Sequence, residues 1–155
     1  MRVLLQRVKW GKVLVQGEEV SGIGTGSLLL VGFSSEVSKD FAGSKEWNKL
    51  VHKLPELRIF PDEQGRSNLS LQDIRGEMLV VPQFTLFADC RKGKRPSFVQ
   101  TADPETAEVL FRELVRELET LCPGRVGQGV FGAEMELEFC NWGPVTICLD
   151  RRDWQ

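Results

Sequence analysis

Polar residues interrupt apolar ones along Arg2-Val3-Leu4-Leu5-Gln6-Arg7-Val8, and the same pattern recurs over residues 12–16. This predicts two strands, with Gly17-Glu18-Glu19 as the turn that follows. Gly22, Gly24 and Gly26 lead into a third strand, the apolar run from Leu28 to Gly32. Met78 to Val81 is another continuous apolar run, as a strand buried on both faces would be. Pro82-Gln83-Phe84-Thr85-Leu86 extends it as strand sequence broken by Gln and Thr. Two stretches carry a helical period instead. Trp47, Leu50, Val51 and Leu54 share one face of a helix that Ser38 can cap and that runs to about Leu54. Ala107, Leu110, Phe111, Leu114, Val115, Leu118 and Leu121 stripe a second, opened by Asp103-Pro104 and ended by Pro123-Gly124. The last third returns to strands, Glu134 to Phe139 and Val145 to Leu149, on either side of a Gly143-Pro144 step.

Strands, helix, strands, helix, strands is not the regular alternation of a doubly wound sheet. It predicts a mixed, largely antiparallel α/β fold. Residues 1–155 are expected to form a single domain, since no linker or internal repeat divides them. Met1 leads into polar-interrupted strand sequence, and no apolar run approaches the roughly 20 residues that span a bilayer. A cytoplasmic chain with no membrane partner is therefore expected. The net charge of −2 offers no global attraction for a polyanion. Any such contact must come from a local patch, and Arg91-Lys92-Gly93-Lys94-Arg95 is the dense one.

The candidate chemistry is notable for what is missing. Four cysteines without a CxxC pair, and one histidine, argue against a metal site. Cys140 and Cys148 flank the Gly-Pro step and would face each other if the two flanking strands pair; reduced thiols are expected. The glycines at 22, 24 and 26 lead into a strand, so turns or tight strand packing fit them better than a phosphate loop. Nucleophilic triads need a histidine beside the nucleophile, and His52 lies on a helix surface with no catalytic-looking neighbour. No carboxylate sits in a setting that would raise its pKa. An enzyme built this way uses little side-chain proton transfer, and no cofactor is expected.

One ordered set of segments carries a resemblance. It comprises Met1-Arg2-Val3, Gln6-Arg7-Val8, Gly22-Ile23-Gly24, Leu57-Arg58-Ile59-Phe60, Asn68-Leu69-Ser70, Gln83-Phe84-Thr85-Leu86 and Ala88-Asp89. Lys92-Gly93, Arg95-Pro96-Ser97-Phe98, Phe131-Gly132-Ala133 and Asn141-x-Gly143-Pro144-x-Thr146 complete it. The chain resembles, nearly end to end, the D-aminoacyl-tRNA deacylases. That resemblance implies an ester hydrolase that removes D-amino acids, and also glycine, from charged tRNA. It implies a compact barrel-like fold with two main helices and a homodimer.

Further implications fall on single residues. Gln83, Phe84 and Thr85 would line the catalytic site, their backbone N–H groups holding the ester carbonyl. Thr85 is read as positioning substrate rather than as a nucleophile, because no base activates it. The 2′-hydroxyl of the terminal adenosine would then help activate water. Gly143 and Pro144, joined by a cis bond, would enter the partner subunit's site and occupy the space an L side chain needs. Arg7 and Asn141 would support that gate, with a surface salt bridge as the other reading of Arg7. Phe131 and Met135 would form the adenosine pocket or simply pack in the core. Arg91, Lys92, Lys94 and Arg95 would meet tRNA phosphates or form a solvated loop.

One residue departs from the family pattern. Pro82 stands where Ser is usual, as it does in a related editor of L-alanine misattached to threonine tRNA. Arg7, Phe84 and Asn141 follow the D-specific pattern. The L-alanyl editor stays as an alternative, and a non-catalytic nucleic-acid-binding module using residues 91–95 as another.

Overall fold

The longest pairing in the molecule is made by its first strand. A computed structural model describes residues 1–154, and in it β1 (Arg2–Val15) pairs antiparallel with three others. Its first half pairs with β3 (Gly26–Gly32) and its second half with β2 (Glu18–Ile23). The C-terminal strand β8 (Glu136–Asp150) pairs along nearly its whole length. A strand has two hydrogen-bonding edges, so β2 and β3 must follow one another along one edge while β8 takes the other. The two separate strands expected over 2–8 and 12–16 are thus one. A register shift between Val8 and Gly11 accounts for the broken pattern. It moves the barrel-facing positions from even (Val8) to odd (Val13) residue numbers.

On its far edge β3 pairs in parallel with β6 (Glu77–Pro82), which pairs in parallel with β7 (Val126–Gln128). The sheet curls nearly shut. The Gln128 N–H reaches across to donate to Ser21 Oγ at 3.1 Å. Gly26 faces the backbone of Glu77, where a Cβ would sit 1.8 Å from the carbonyl oxygen. Tight strand packing, not phosphate binding, therefore explains that glycine. A small hairpin of β4 (Phe60–Pro61) and β5 (Ser67–Leu69) lies apart.

Two apolar cores follow from the sheet's two faces. Leu28, Leu79 and Val81 fill the barrel interior with Val8 and Val13. Leu29, Val31, Met78 and Val80 point outward into a larger core under two helices, α1 (Lys45–Glu56) and α2 (Pro104–Leu121). Burial on both faces is why β3 and β6 read as unbroken apolar runs. The α2 stripe packs as expected, capped by Asp103, whose carboxylate accepts from the Thr106 N–H at 2.9 Å.

The α1 start differs from expectation. Ser44 is the cap, accepting from the Trp47 N–H at 3.1 Å, while Ser38 precedes a short 3-10 turn and makes no side-chain cap bond. Segment 83–86 is also not a strand. The strand β6 ends at Pro82, and Phe84–Phe87 coil into a 3-10 turn. Finally, Glu134–Phe139 and Val145–Leu149 are not two facing strands. Residues 136–150 form the single strand β8, so Cys140 and Cys148 are spread along it and all four thiols are free.

Candidate active site

Where parallel strands end, ligand sites form at their carboxyl ends. Here the ends of β3 and β6, the N-terminus of α2 and the segment before β8 enclose a cavity of about 510 Å3. Its walls include Pro82, Gln83, Phe84, Pro104, Phe131 and Met135. Gln83 and Phe84 thus meet Phe131 and Met135, and Thr85 follows on the same 3-10 turn.

That turn is held at both ends. The Gln83 N–H donates to Val31 O at 2.7 Å, and the Arg2 guanidinium donates to Leu86 O while lying 4.6 Å over the Phe87 ring. Arg2 in turn pairs with Asp150 of β8 at 2.9 Å. Gln83 has spent its N–H on β3, whereas the N–H groups of Phe84 and Thr85 have no hydrogen-bond partner among the described residues. The Thr85 hydroxyl is exposed and accepts from the Gln83 side-chain amide. The one histidine is occupied elsewhere, 3.4 Å from Glu117 between α1 and α2.

Phe131 and Met135 both pack in a core and line the cavity. Phe131 packs against the larger core with its ring 6.2 Å from that of Phe111, and Met135 packs against the barrel core. Each also shows a face to the cavity.

Gly143 and Pro144 are elsewhere. In the β1–β8 ladder Gln6 faces Thr146 and Val8 faces Asn141, so residues 142–145 stand opposite Arg7 alone and form a wide bulge. The Gly143-Pro144 bond is cis, and both residues are exposed and absent from the cavity walls.

Arg7 braces this loop from below. It is 8% exposed, with its Nε donating to Trp142 O at 2.9 Å and its guanidinium 4.6 Å over the Trp142 ring. A further N–H donates to Ile59 O. Burial pulls its pKa below the usual guanidinium value. It has no carboxylate partner among the described residues, which removes the surface salt-bridge reading. Asn141 braces from the side: its Oδ1 accepts from the Val145 N–H at 3.2 Å and its Nδ2 donates to Thr146 Oγ1 at 3.1 Å. Gly143 has φ +128°, and a Cβ there would lie 2.7 Å from Arg7 Nη2. Glycine is required on both counts.

The basic run forms an exposed loop closed by a two-way backbone bridge between Asp89 and Ser97. Arg91 turns back on Asp89, with Nε–Oδ1 at 2.8 Å and Nη2–Oδ2 at 2.7 Å. Those hydrogen bonds hold the Asp89 carboxyl down at about 2. Lys92, Lys94 and Arg95 have no such partner among the described residues.

Sequence reasoning did not foresee that Phe33, Thr101, Ala102, Pro104 and Ala107 line the cavity. Asp103-Pro104 announced a helix start, but which strand ends that start faces is a long-range matter. No cluster of three or more potential metal ligands occurs among the described residues, and no helix there is long and apolar enough to cross a membrane.

Comparison with known proteins adds independent findings. Residues 4–150 match the family described as D-Tyr-tRNA(Tyr) deacylase. A D-aminoacyl-tRNA deacylase of Solidesulfovibrio magneticus is 50% identical, over 99% of this chain and 97% of its own. A protein of the same name from Dictyoglomus turgidum is 44% identical, over 99% and 94%. A solved structure described as "c-Myc DNA Unwinding Element Binding Protein" superposes with a TM-score of 0.86 at 36% identity, covering 97% of this chain and 98% of that one. A second, described as a probable eukaryotic D-amino acid tRNA deacylase, has a TM-score of 0.76 at 22% identity, covering 96% and 97%, and speaks to the fold alone.

Proposed function

The chain belongs to the D-Tyr-tRNA(Tyr) deacylase family, and on that premise we propose that its cavity receives the charged 3′ end of an aminoacyl-tRNA. The enzyme is a D-aminoacyl-tRNA deacylase, a hydrolase of the ester between amino acid and tRNA. The ester carbonyl lies against the free N–H groups of Phe84 and Thr85, which stabilise the oxyanion that forms as water adds. Gln83 shapes the turn but does not donate its N–H, since β3 already holds it. Thr85 orients substrate; its hydroxyl has an amide for a neighbour, not a base. The terminal 2′-hydroxyl of the RNA assists the attacking water. Adenine lies between Phe131 and Met135.

One observation carries the chirality argument. Gly143 and Pro144 are braced by Arg7 and Asn141, exposed, and not part of their own cavity's walls. A braced, exposed loop is suited to a site on another molecule, and a second copy of the chain supplies one. In a symmetric homodimer each copy's loop would enter the other's cavity. There its carbonyl oxygens exclude an L side chain by clash. Rejection by clash leaves D side chains largely unselected and does not exclude glycine.

The test is hydrolysis of paired D- and L-tyrosyl-tRNA and of glycyl-tRNA. D-tyrosyl and glycyl esters are expected to be cleaved and the L-tyrosyl ester spared; equal cleavage of both enantiomers would sink the gate. A second reading, an L-alanyl-tRNA(Thr) editor with relaxed chirality, draws on Pro82, whose ring lines the cavity and which has no N–H to offer substrate. Cleavage of L-alanyl-tRNA(Thr) at the D-tyrosyl rate would favour it. A nucleic-acid-binding module without turnover, for which the basic loop would serve, predicts tRNA binding and no ester cleavage at all.

A further inference from the structure

We propose that Phe98 is a stacking platform for the nucleotide that precedes the terminal adenosine, with Lys92, Lys94 and Arg95 receiving the phosphates beyond it. The proposal rests on the cavity's being the site of the charged 3′ end. Phe84 and Phe98 pack edge to face, ring centroids 5.1 Å apart, yet remain 56% and 40% exposed. Val99 beside them is 84% exposed. Phe84 lines the cavity wall and Phe98 does not, so the pair runs from inside the cavity to its rim.

The exposure of Phe98 does not come from a loose loop. The Asp89–Ser97 bridge fixes the residue before it, at 2.8 and 2.9 Å. Its own carbonyl accepts from the Thr101 N–H at 3.0 Å and from Thr101 Oγ1 at 2.7 Å. A firmly held, outward-facing aromatic ring next to unpaired cations is the combination that binds single-stranded RNA. Bases stack on the ring, the backbone follows the charge, and sequence matters little.

Space requires such an exit. A cavity of about 510 Å3 is the size that holds one small ligand, here an aminoacyl-nucleoside. The next nucleotide must lie outside it. Along the wall formed by Phe84, the surface it meets is Phe98, followed by the loop of residues 91–95. Arg91 is the cation least able to contribute, because Asp89 already holds it in a two-point pair.

The experiment compares Phe98→Ala and Phe98→Trp with the parent on two substrates, D-tyrosyl-tRNA and D-tyrosyl-adenosine, which lacks the preceding nucleotide. Phe98→Ala is expected to raise KM for the tRNA about tenfold while moving both constants for the adenosine ester by less than about twofold. Phe98→Trp keeps a stacking face and is expected to stay within about twofold of the parent on both. Equal loss on both substrates would mean that Phe98 merely supports Phe84, and no loss on tRNA would mean that no base stacks there. Dissociation of Phe98→Ala into smaller species by sedimentation would make this surface a contact between copies. Each of these three results overturns the proposal. Binding of the trinucleotide CCA, followed by titration, is independent of turnover and is expected to weaken about tenfold in Phe98→Ala. If the parent binds CCA in this way but cleaves neither ester, the deacylase reading falls and the platform stands.

Discussion

Arg7→Lys separates the gate from the fold. The substitution keeps a positive charge but loses the planar fork. Arg7 donates to Trp142 O at 2.9 Å and also to Ile59 O, and it stacks 4.6 Å over the Trp142 ring. A lysine ammonium reaches one of those carbonyls and leaves the other unpaired. Each hydrogen bond to a charged group contributes about 1.5–3 kcal/mol, and a partly desolvated cation–π contact about 0.5–2 kcal/mol. Some of this is recovered as the chain relaxes, so the net loss is about 2 kcal/mol. For a domain of this size that lowers Tm by roughly 4–8 °C.

One of the two carbonyls and the stacked ring both belong to Trp142, the residue just before Gly143, so the loss falls first on residues 142–145. If about 1.4 kcal/mol of it frees that loop, discrimination between enantiomers falls about tenfold. The assay is the ratio of kcat/KM for D- and L-tyrosyl-tRNA, measured well below the lowered Tm, beside a thermal melt. A melt lowered as expected with an unchanged D/L ratio would refute the argument, since Arg7 would then hold the fold without steering the gate.

Gly143→Ala places a Cβ 2.7 Å from Arg7 Nη2 at φ +128°; a stability loss of at least about 1 kcal/mol and a reduced D/L ratio are expected from melts and paired kinetics. Thr85→Ala should retain D-tyrosyl-tRNA cleavage within about tenfold of the parent, as for a group that only positions substrate; abolished turnover with intact binding would make Thr85 the nucleophile. Aminoacyl-tRNA ending in 2′-deoxyadenosine should be cleaved far more slowly in single-turnover assays, and undiminished cleavage would exclude help from the RNA. Asp89→Asn releases Arg91, so the slope of log K against log salt for tRNA binding should steepen by about one. In the parent, Arg91 lowers the Asp89 pKa to about 2. The stabilisation from that pair is complete above the ordinary carboxylate pKa and fades only as pH falls toward 2. Loop-dependent tRNA binding should therefore be flat from pH 8 to about pH 5.

Much of the architecture was legible because short-range physics produced it. The α2 stripe, its Asp103 cap and the twice-buried runs of β3 and β6 follow from local periodicity and capping chemistry. The misreadings share a cause. The strand β1 reads as two in the sequence because its pattern changes parity at a bulge, and that bulge arises in its pairing with β8. The turn at Phe84–Phe87 reads as strand in the sequence because apolar residues there satisfy either pattern. Arg2, reaching over from β1, helps hold it as a turn. Ser38 and Ser44 are both chemically able to cap a helix, and packing of Trp47 and its neighbours selected the second.

The family, and with it the activity, was carried by the order of short motifs along the chain, and the basic loop was evident from its charge. The assembly of the site was not. Gln83, Phe84, Phe131 and Met135 come from segments nearly fifty residues apart, joined because β6 ends beside the segment that enters β8. The number of N–H groups left for an oxyanion depends on Val31 having taken that of Gln83. The burial of Arg7 without a carboxylate, under a loop held from the other side by Asn141, depends on four residues of β8 standing opposite one residue of β1. Sequence by itself determined which groups this protein carries and which faces of its elements are apolar, because both are local properties. Which N–H is free and how the Gly143-Pro144 loop is braced by Arg7 were decided by tertiary structure alone, because each depends on a partner distant in the chain.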